Sequence, residues 1–356
     1  MIQAPFYDPK KSYYENYEQG PFGAFSDAST YERTVGTQAT TIHGHTVRLP
    51  FGIPAGPLLN ARFVKAALDK GFDVPIYKTV RSGEHGCHSY PNVVPIDIEG
   101  DLTLQQANEG LISKEEYTSP LSITNSFGVP SYSPDVWQKD ATDAVAHAKE
   151  GQLVGVSFQG TKWEGETADS YIEDWVTTSK LVAETRPGFM EANLSCPNEG
   201  TTALLCFDVE RVAIITRKIK EAIGDIPLWV KISYFIDQSL LEKLVQEVGT
   251  VVDGFATINT ISAIIRNKDG EQALPGEGRL RSGACGQSIK WAGLDMVSLF
   301  HELRVKNNLP YTIIGVGGVM TPSDYHEYRK AGADVVMSAT GAMWNPDLAE
   351  EIKASV

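Results

Sequence analysis

The chain has 356 residues, 42% of them hydrophobic and 21% charged, with 32 glycines and 19 prolines. This composition excludes a disordered or low-complexity chain and leaves one large domain or two ordinary ones. Lys and Arg (31) against Asp and Glu (45) give a net charge of −14, and such a field excludes nucleic acid and anionic membrane as main partners.

Residues 1–45 are rich in Tyr, Asp, Ser and Gly and have no regular period; they read as an extension packed on a body formed by residues 46–356. The start carries no signal-peptide core, and no apolar run reaches the roughly 18 residues that a membrane helix needs, so a cytoplasmic protein is expected. Four cysteines (Cys87, Cys196, Cys206 and Cys285) are too scattered for a disulfide framework, and reduced thiols are the default.

From about residue 50, short apolar or β-branched runs recur at Leu49–Ala55, Val74–Val80, Leu121–Ser126, Leu153–Phe158, Gly188–Leu194, Leu228–Ser233, Gly254–Asn259, Tyr311–Gly315 and Asp334–Ser338. Amphipathic stretches lie between most of them: Asp135–Lys149, Asp169–Thr185, Asp208–Ile223, Gln238–Val248, Lys290–Val305 and Pro322–Ala331. Strands alternating with helices indicate a parallel α/β protein. Leu121–Ser126 has no crossover helix before it, as a parallel strand requires, so it belongs to a long loop after the second strand. Eight strands remain, which predicts an α/β fold of the (β/α)8 TIM-barrel type, with an N-terminal extension and long loop insertions at the C-terminal face.

Active sites of such barrels form at the C-terminal strand ends. Polar residues collect there: Tyr77-Lys78-Thr79, Asn193-Leu194-Ser195-Cys196-Pro197-Asn198, Lys231, Asn259-Thr260, Gly315-Val316-Gly317-Gly318 and Ser338-Ala339-Thr340-Gly341. A lysine ending the apolar run Leu228-Trp229-Val230 is costly unless paired or useful. The glycine run, followed by Thr321-Pro322-Ser323-Asp324, reads as a phosphate cradle backed by a helix N-terminus, against the alternative of a tight turn with a helix cap. It lacks the spacing of a dinucleotide fingerprint. Cys196 is flanked by Asn193 and Asn198, amides able to bind an imide-bearing ring, so its thiolate could act as a base toward a ring C–H; a small buried cysteine is the plainer alternative. His85-Gly86-Cys87-His88 does not have the spacing of a zinc site and is expected to be a polar loop, with no metal. His43, His45, His147, His301 and His326 are expected at the surface.

Taken together, the motif Glu191-Ala192-Asn193-Leu194-Ser195-Cys196-Pro197-Asn198 resembles the flavin-dependent dihydroorotate dehydrogenases, most closely the soluble class 1 members with a cysteine base. Tyr77-Lys78-Thr79, Thr124-Asn125-Ser126-Phe127-Gly128-Val129-Pro130, Val230-Lys231-Ile232, Ile258-Asn259-Thr260, Ile314-Gly315-Val316-Gly317-Gly318-Val319 and Ala339-Thr340-Gly341 support the resemblance in order. It implies oxidation of dihydroorotate to orotate in pyrimidine biosynthesis, with FMN on the barrel and its phosphate at Gly317, Gly318, Ala339 and Thr340. It also implies flavin contacts from Ala55, Gly56, Lys78, Thr79, Asn125, Asn193, Lys231, Asn259, Gly283 and Gly286. Lys78, Asn125, Asn193, Asn198, Asn259 and Thr260 would hold the substrate, and Cys196, Lys78 and Lys231 would be catalytic. A homodimer using a small acceptor such as fumarate is implied as well.

Several positions depart from the family pattern. Ile53-Pro54-Ala55-Gly56 replaces the usual Asn-Ala-Ser-Gly, and the loop after Lys78 lacks Gly-Asn-Pro-Glu-Pro-Arg. Thr260 and Ala339 replace a serine and a glycine, and an insert occupies about Glu99–Tyr117. A dihydropyrimidine (dihydrouracil) dehydrogenase, a Lys231 Schiff-base aldolase and a flavin-binding protein without catalysis are the competing readings.

Overall fold

The computed structural model describes residues 2–27, 29–31, 39–163, 165, 167–195 and 204–356. Eight parallel strands make up its central sheet: β1 (Phe51–Gly52), β2 (Ile76–Val80), β3 (Gly155–Phe158), β4 (Phe189–Asn193), β5 (Leu228–Ile232), β6 (Gly254–Thr257), β7 (Thr312–Val316) and β8 (Val335–Met337). They run in the order β1-β8-β7-β6-β5-β4-β3-β2. The Val74 and Ile76 N–H groups donate to the Phe51 and Ile53 carbonyls at 3.2 and 2.9 Å, joining β2 to β1 and making the sheet a (β/α)8 barrel.

The expected helices form at Pro134–Ala146, Ala168–Ala183, Val209–Ile223, Gln238–Val248, Lys290–Asn307 and Pro322–Ala331. A further crossover helix, Ala61–Asp69, buries Phe63, Val64, Ala67 and Leu68 and is capped by Asn60. At nine residues it is too short for its period to stand out in the sequence.

The segment around Ser122–Asn125 does stay outside the barrel, although it is itself a strand. It pairs antiparallel with Val93–Asp97 and Arg281–Gly286. These three join Leu111–Ser113 and Ile261–Arg266 in a five-stranded cap that closes on itself. Antiparallel neighbours need no crossover helix, which is why that stretch of sequence has none.

At the opposite end, the hairpin Thr40–Ile42/His45–Val47 sends Ile42 and Val47 into the barrel interior beside Phe189 and Trp229. His43 is not the surface residue expected. It is partly buried, and its Nε2 accepts a 2.7 Å hydrogen bond from Trp229 Nε1, a partner 186 positions away that no local pattern announces. The N-terminal residues form a capped helix, Tyr13–Gln19. Phe6, Tyr7, Tyr13 and Phe25 are buried in one cluster with the residues between barrel and helices.

Candidate active site

Residues alternate across a strand, so one set of positions points into the barrel. Val74, Ile76, Phe189, Trp229, Ala256, Ile314, Val335 and Met337 make an apolar lower interior. Continuing the same alternation upward reaches Lys78 on β2, Ser157 on β3, Glu191 and Asn193 on β4, and Lys231 on β5, all buried. The polar face is therefore the top layer of the same inward rows that hold the barrel together.

Lys231 Nζ stands 3.9 Å from Glu191 Oε2, with their side chains 5% and 0% exposed. Burial pushes the Glu191 carboxyl up, while the Lys231 charge and the Ser157 hydroxyl pull it down. The Ser157 hydroxyl also shares a 3.0 Å hydrogen bond with Thr79. A line of polar groups crosses the neighbouring strand ends. Asn259 Nδ2 donates to Ser195 Oγ at 2.7 Å, and that hydroxyl donates to Asn193 Oδ1 at 3.1 Å. Gln159 stands at the far side of Asn193, where its Oε1 accepts from Asn193 Nδ2 at 3.0 Å. Turned end for end, the Gln159 amide instead puts its oxygen 2.7 and 3.0 Å from the Arg81 Nη2 and Nη1 donors, which satisfies the guanidinium.

Arg81 is 3% exposed. Its Nε donates to Val129 O at 2.9 Å, its Nη1 to Thr161 Oγ1 at 2.8 Å and its Nη2 to Gly128 O at 3.3 Å. Gly128 and Val129 both have positive φ, +75° and +52°, so the guanidinium grips a turn that is costly for a β-branched residue. Sequence reasoning missed Arg81, Gln159 and the role of Glu191. Arg81 follows the strand-end motif Tyr77-Lys78-Thr79 by two positions, and Gln159 directly follows β3 at the level where the other strands carry polar groups; the strand-end rule applied to β3 finds it.

The cap brings Asn125, Thr260 and Gly283 together. Gly283 pairs with Asn125 across the antiparallel ladder, and a Cβ on Gly283 would stand 2.5 Å from Thr260 Oγ1. Asn125 Nδ2 donates to Cys285 Sγ at 3.4 Å. Gly286 has φ +96° and lies against Leu121 O. Lys78 Nζ lies 5.9 Å from the centroid of the Tyr13 ring. Cys196 and Asn198 lie outside the described residues. Beside Asn193 is a cavity of about 220 Å³, lined among others by Arg81, His85, His88, Gln159 and Lys162.

Two glycine turns meet the requirements of a phosphate cradle. Gly317 and Gly318 have φ +127° and +67°, and a Cβ on Gly318 would stand 2.7–2.8 Å from Lys290 atoms. A Cβ on Gly341 would stand 2.4 Å from Val319 O, so the two turns are interlocked, with Ser338 Oγ donating to Val319 O at 2.6 Å. The helix at Pro322 has the cap that the sequence offered as the alternative. Thr321 Oγ1 accepts from the Asp324 N–H at 3.3 Å, and Asp324 Oδ2 accepts from the Met320 and Thr321 N–H groups at 2.9 Å, a complete capping box. An anion here would face the backbone of Gly317, Gly318, Ala339 and Thr340 rather than that helix end. At β1, Gly56 has φ +138°, with open space where a Cβ would lie; Ala55 beside it packs on the barrel interior. Glycine turns at one side and ammonium and amide groups at the other fit a flavin, whose ring imide needs such donors and acceptors.

Comparisons with known proteins agree with this geometry. Residues 38–356 match the family model described as dihydroorotate dehydrogenase. A dihydroorotate dehydrogenase of Dictyostelium discoideum is 35% identical over 98% of this chain and 96% of its own. A Pediococcus pentosaceus protein with the provisional name dihydroorotate dehydrogenase A (fumarate) is 33% identical over 53% of this chain and 60% of its own. The catalytic subunit of dihydroorotate dehydrogenase B (NAD(+)) from Bacillus mycoides is 31% identical over 50% of this chain and 56% of its own.

Proposed function

The chain belongs to the dihydroorotate dehydrogenase family, oxidoreductases that act on a CH–CH group, and from that premise we propose that FMN is the flavin with which it converts dihydroorotate to orotate. The observation that carries this reading is the row of Asn193, Ser195 and Asn259, joined by hydrogen bonds of 2.7 and 3.1 Å, with the buried Lys231 on the strand between them. When bound, the flavin would supply the two-electron acceptor, taking a hydride from C6 of dihydroorotate at its N5.

The protein's residues do the rest. The Cys196 thiolate takes the proton from C5 and releases it later to solvent, so the substrate loses one hydride and one proton. Asn193, Asn198 and Asn259 present amide donors and acceptors to the imide ring, while Asn125 and Thr260, with Lys78, hold the carboxylate. Lys231 would supply positive charge at the pyrimidine edge of a bound flavin, favouring its anionic reduced form, and Glu191 beneath it, 3.9 Å away, would keep that ammonium directed. The Gly317–Gly318 and Ala339–Thr340 turns would hold the phosphate through their backbone N–H groups. A free thiol is only a few per cent ionised at neutral pH, so turnover should rise toward alkaline pH.

The test is anaerobic mixing of the purified yellow protein with dihydroorotate. Bleaching of the flavin supports the reading, and an unbleached flavin refutes it. Cys196→Ala should still bind dihydroorotate but lose flavin reduction; normal reduction in that variant removes Cys196 as the base. By the resemblance, the acceptor is a small molecule such as fumarate and the assembly a cytoplasmic homodimer. Reoxidation by a panel of acceptors and light scattering test the acceptor and the assembly. Among the described residues no helix is long and apolar enough to cross a membrane.

A further inference from the structure

The N-terminal segment reaches several of the loops that build the candidate site. The Phe6 N–H donates to Met343 O at 3.0 Å, in the helix that follows the Ala339–Thr340 turn. Asn60, between β1 and its helix, donates to Tyr17 O at 2.8 Å. The Cys87 N–H, in the loop after Lys78, donates to Tyr14 Oη at 3.2 Å. Tyr7 and Tyr13 both meet Phe127 edge-on, with ring centroids 5.7 and 6.2 Å apart, and Phe127 sits two residues after Asn125. Tyr13 itself is 3% exposed, and its ring lies within cation–π distance of the Lys78 ammonium, at 5.9 Å. A buried ammonium gains from such a ring because water is excluded from it.

We propose that Tyr13 is a positioning residue of the active site: its ring holds the Lys78 ammonium and braces Phe127, so the N-terminal segment is a working wall of the catalytic face. The inference rests on the reading that Lys78 faces flavin and substrate. It accounts for the absence of the family's usual loop after Lys78, because the N-terminal segment fills that side. Tyr13 is buried enough that its phenol stays neutral, so the ring face is what it offers.

The experiment compares Tyr13→Phe, Tyr13→Leu and a series of fluorinated phenylalanines at position 13, which keep the shape of the ring and progressively weaken its face. Three quantities are read: the melting temperature, the dissociation constant of FMN from the reconstituted protein, and the rate of flavin reduction by dihydroorotate. Tyr13→Phe should keep the dissociation constant and the rate within about twofold of the unaltered protein and leave the melting temperature unchanged. Tyr13→Leu and the most fluorinated ring should lower the reduction rate about tenfold, roughly the worth of one desolvated cation–π contact. Across the fluorinated series the rate should fall in graded steps while the melting temperature stays constant. A rate that does not vary across that series, or one that only tracks the melting temperature, overturns the proposal. If dihydroorotate fails to reduce the unaltered protein, the proposed reaction is wrong, and FMN affinity across the series then decides the role of Tyr13 by the same graded or flat outcome.

Discussion

Lys231 and Glu191 face each other on adjacent barrel strands, Nζ to Oε2 at 3.9 Å, with neither side chain more than 5% exposed. The pair lies directly above the stacked rings of Phe189 and Trp229, whose centroids are 3.7 Å apart. An ion pair on an apolar floor has no water to take over when one partner is lost.

Removing one charge should therefore cost more than removing both. Glu191→Leu should lower unfolding stability by about 3–5 kcal/mol, because it strands the Lys231 charge, whereas Glu191→Leu with Lys231→Met should recover most of that loss. Both variants should lose flavin reduction. Urea unfolding of Glu191→Leu, Lys231→Met and the double variant checks this; a double variant destabilised by the sum of the two single losses would show that the charges are not coupled.

Val129 is a β-branched residue at φ +52°, a conformation that costs an L-residue roughly 1–2 kcal/mol. Val129→Gly should be close to neutral in stability, within about 1 kcal/mol, although valine-to-glycine changes usually destabilise. Arg81→Ala should cost about 2–4 kcal/mol, since it frees the Gly128 and Val129 carbonyls and Thr161 from a buried, charged donor. It should also raise the KM for dihydroorotate, because the turn it grips adjoins Asn125. Thermal melts and steady-state kinetics test the two halves; a destabilised Arg81→Ala with unchanged KM would confine the arginine to a structural role.

Gly318→Ala would put a Cβ 2.7–2.8 Å from Lys290 atoms at φ +67°, where both the space and the backbone oppose it. The expected outcome is a protein purified with little flavin and FMN binding weakened at least about tenfold, while the circular dichroism of the barrel is kept. Stoichiometric FMN in the purified variant would count against the Gly317–Gly318 turn as the phosphate site.

Burial and the neighbouring Arg81 push His85 down from 6.5 to about 4. Between those two values the unfolded chain binds a proton that the folded chain refuses, so stability falls as pH drops from 6.5 toward 4 and levels off below it. The residue is only half buried, and solvent screening limits its contribution to about 1 kcal/mol. His85→Gln should flatten that part of the stability profile measured by urea unfolding at pH 4.5 and pH 7; an unchanged slope would assign it to other groups.

The barrel and the positions of Lys78, Asn193, Lys231 and the two glycine turns are legible in the sequence because each is a local signal. A strand carries its inward row at every second residue, and where the row turns from apolar to polar marks the top of the barrel. The helix Ala61–Asp69 and the strand character of Ser122–Asn125 are hidden: the helix is short, and the strand depends on neighbours far along the chain. The Gly317–Gly318 turn was readable as glycines and the cap of the following helix as an alternative, but not that the Asp324 carboxylate takes the Met320 and Thr321 N–H groups.

By itself, then, the order of residues determined which side chains stand at the strand ends and with what chemistry, since strand period and motif spacing act over a few residues. Which of them touch was decided only by tertiary structure. Glu191 under Lys231, Gln159 between Arg81 and Asn193, and Tyr13 over Lys78 join residues 40, 78 and 34, and 65 positions apart. No local period couples positions at those separations. Closure of the barrel sets neighbouring strands side by side, and burial of the aromatic N-terminal segment against the cap brings the last of those partners into reach.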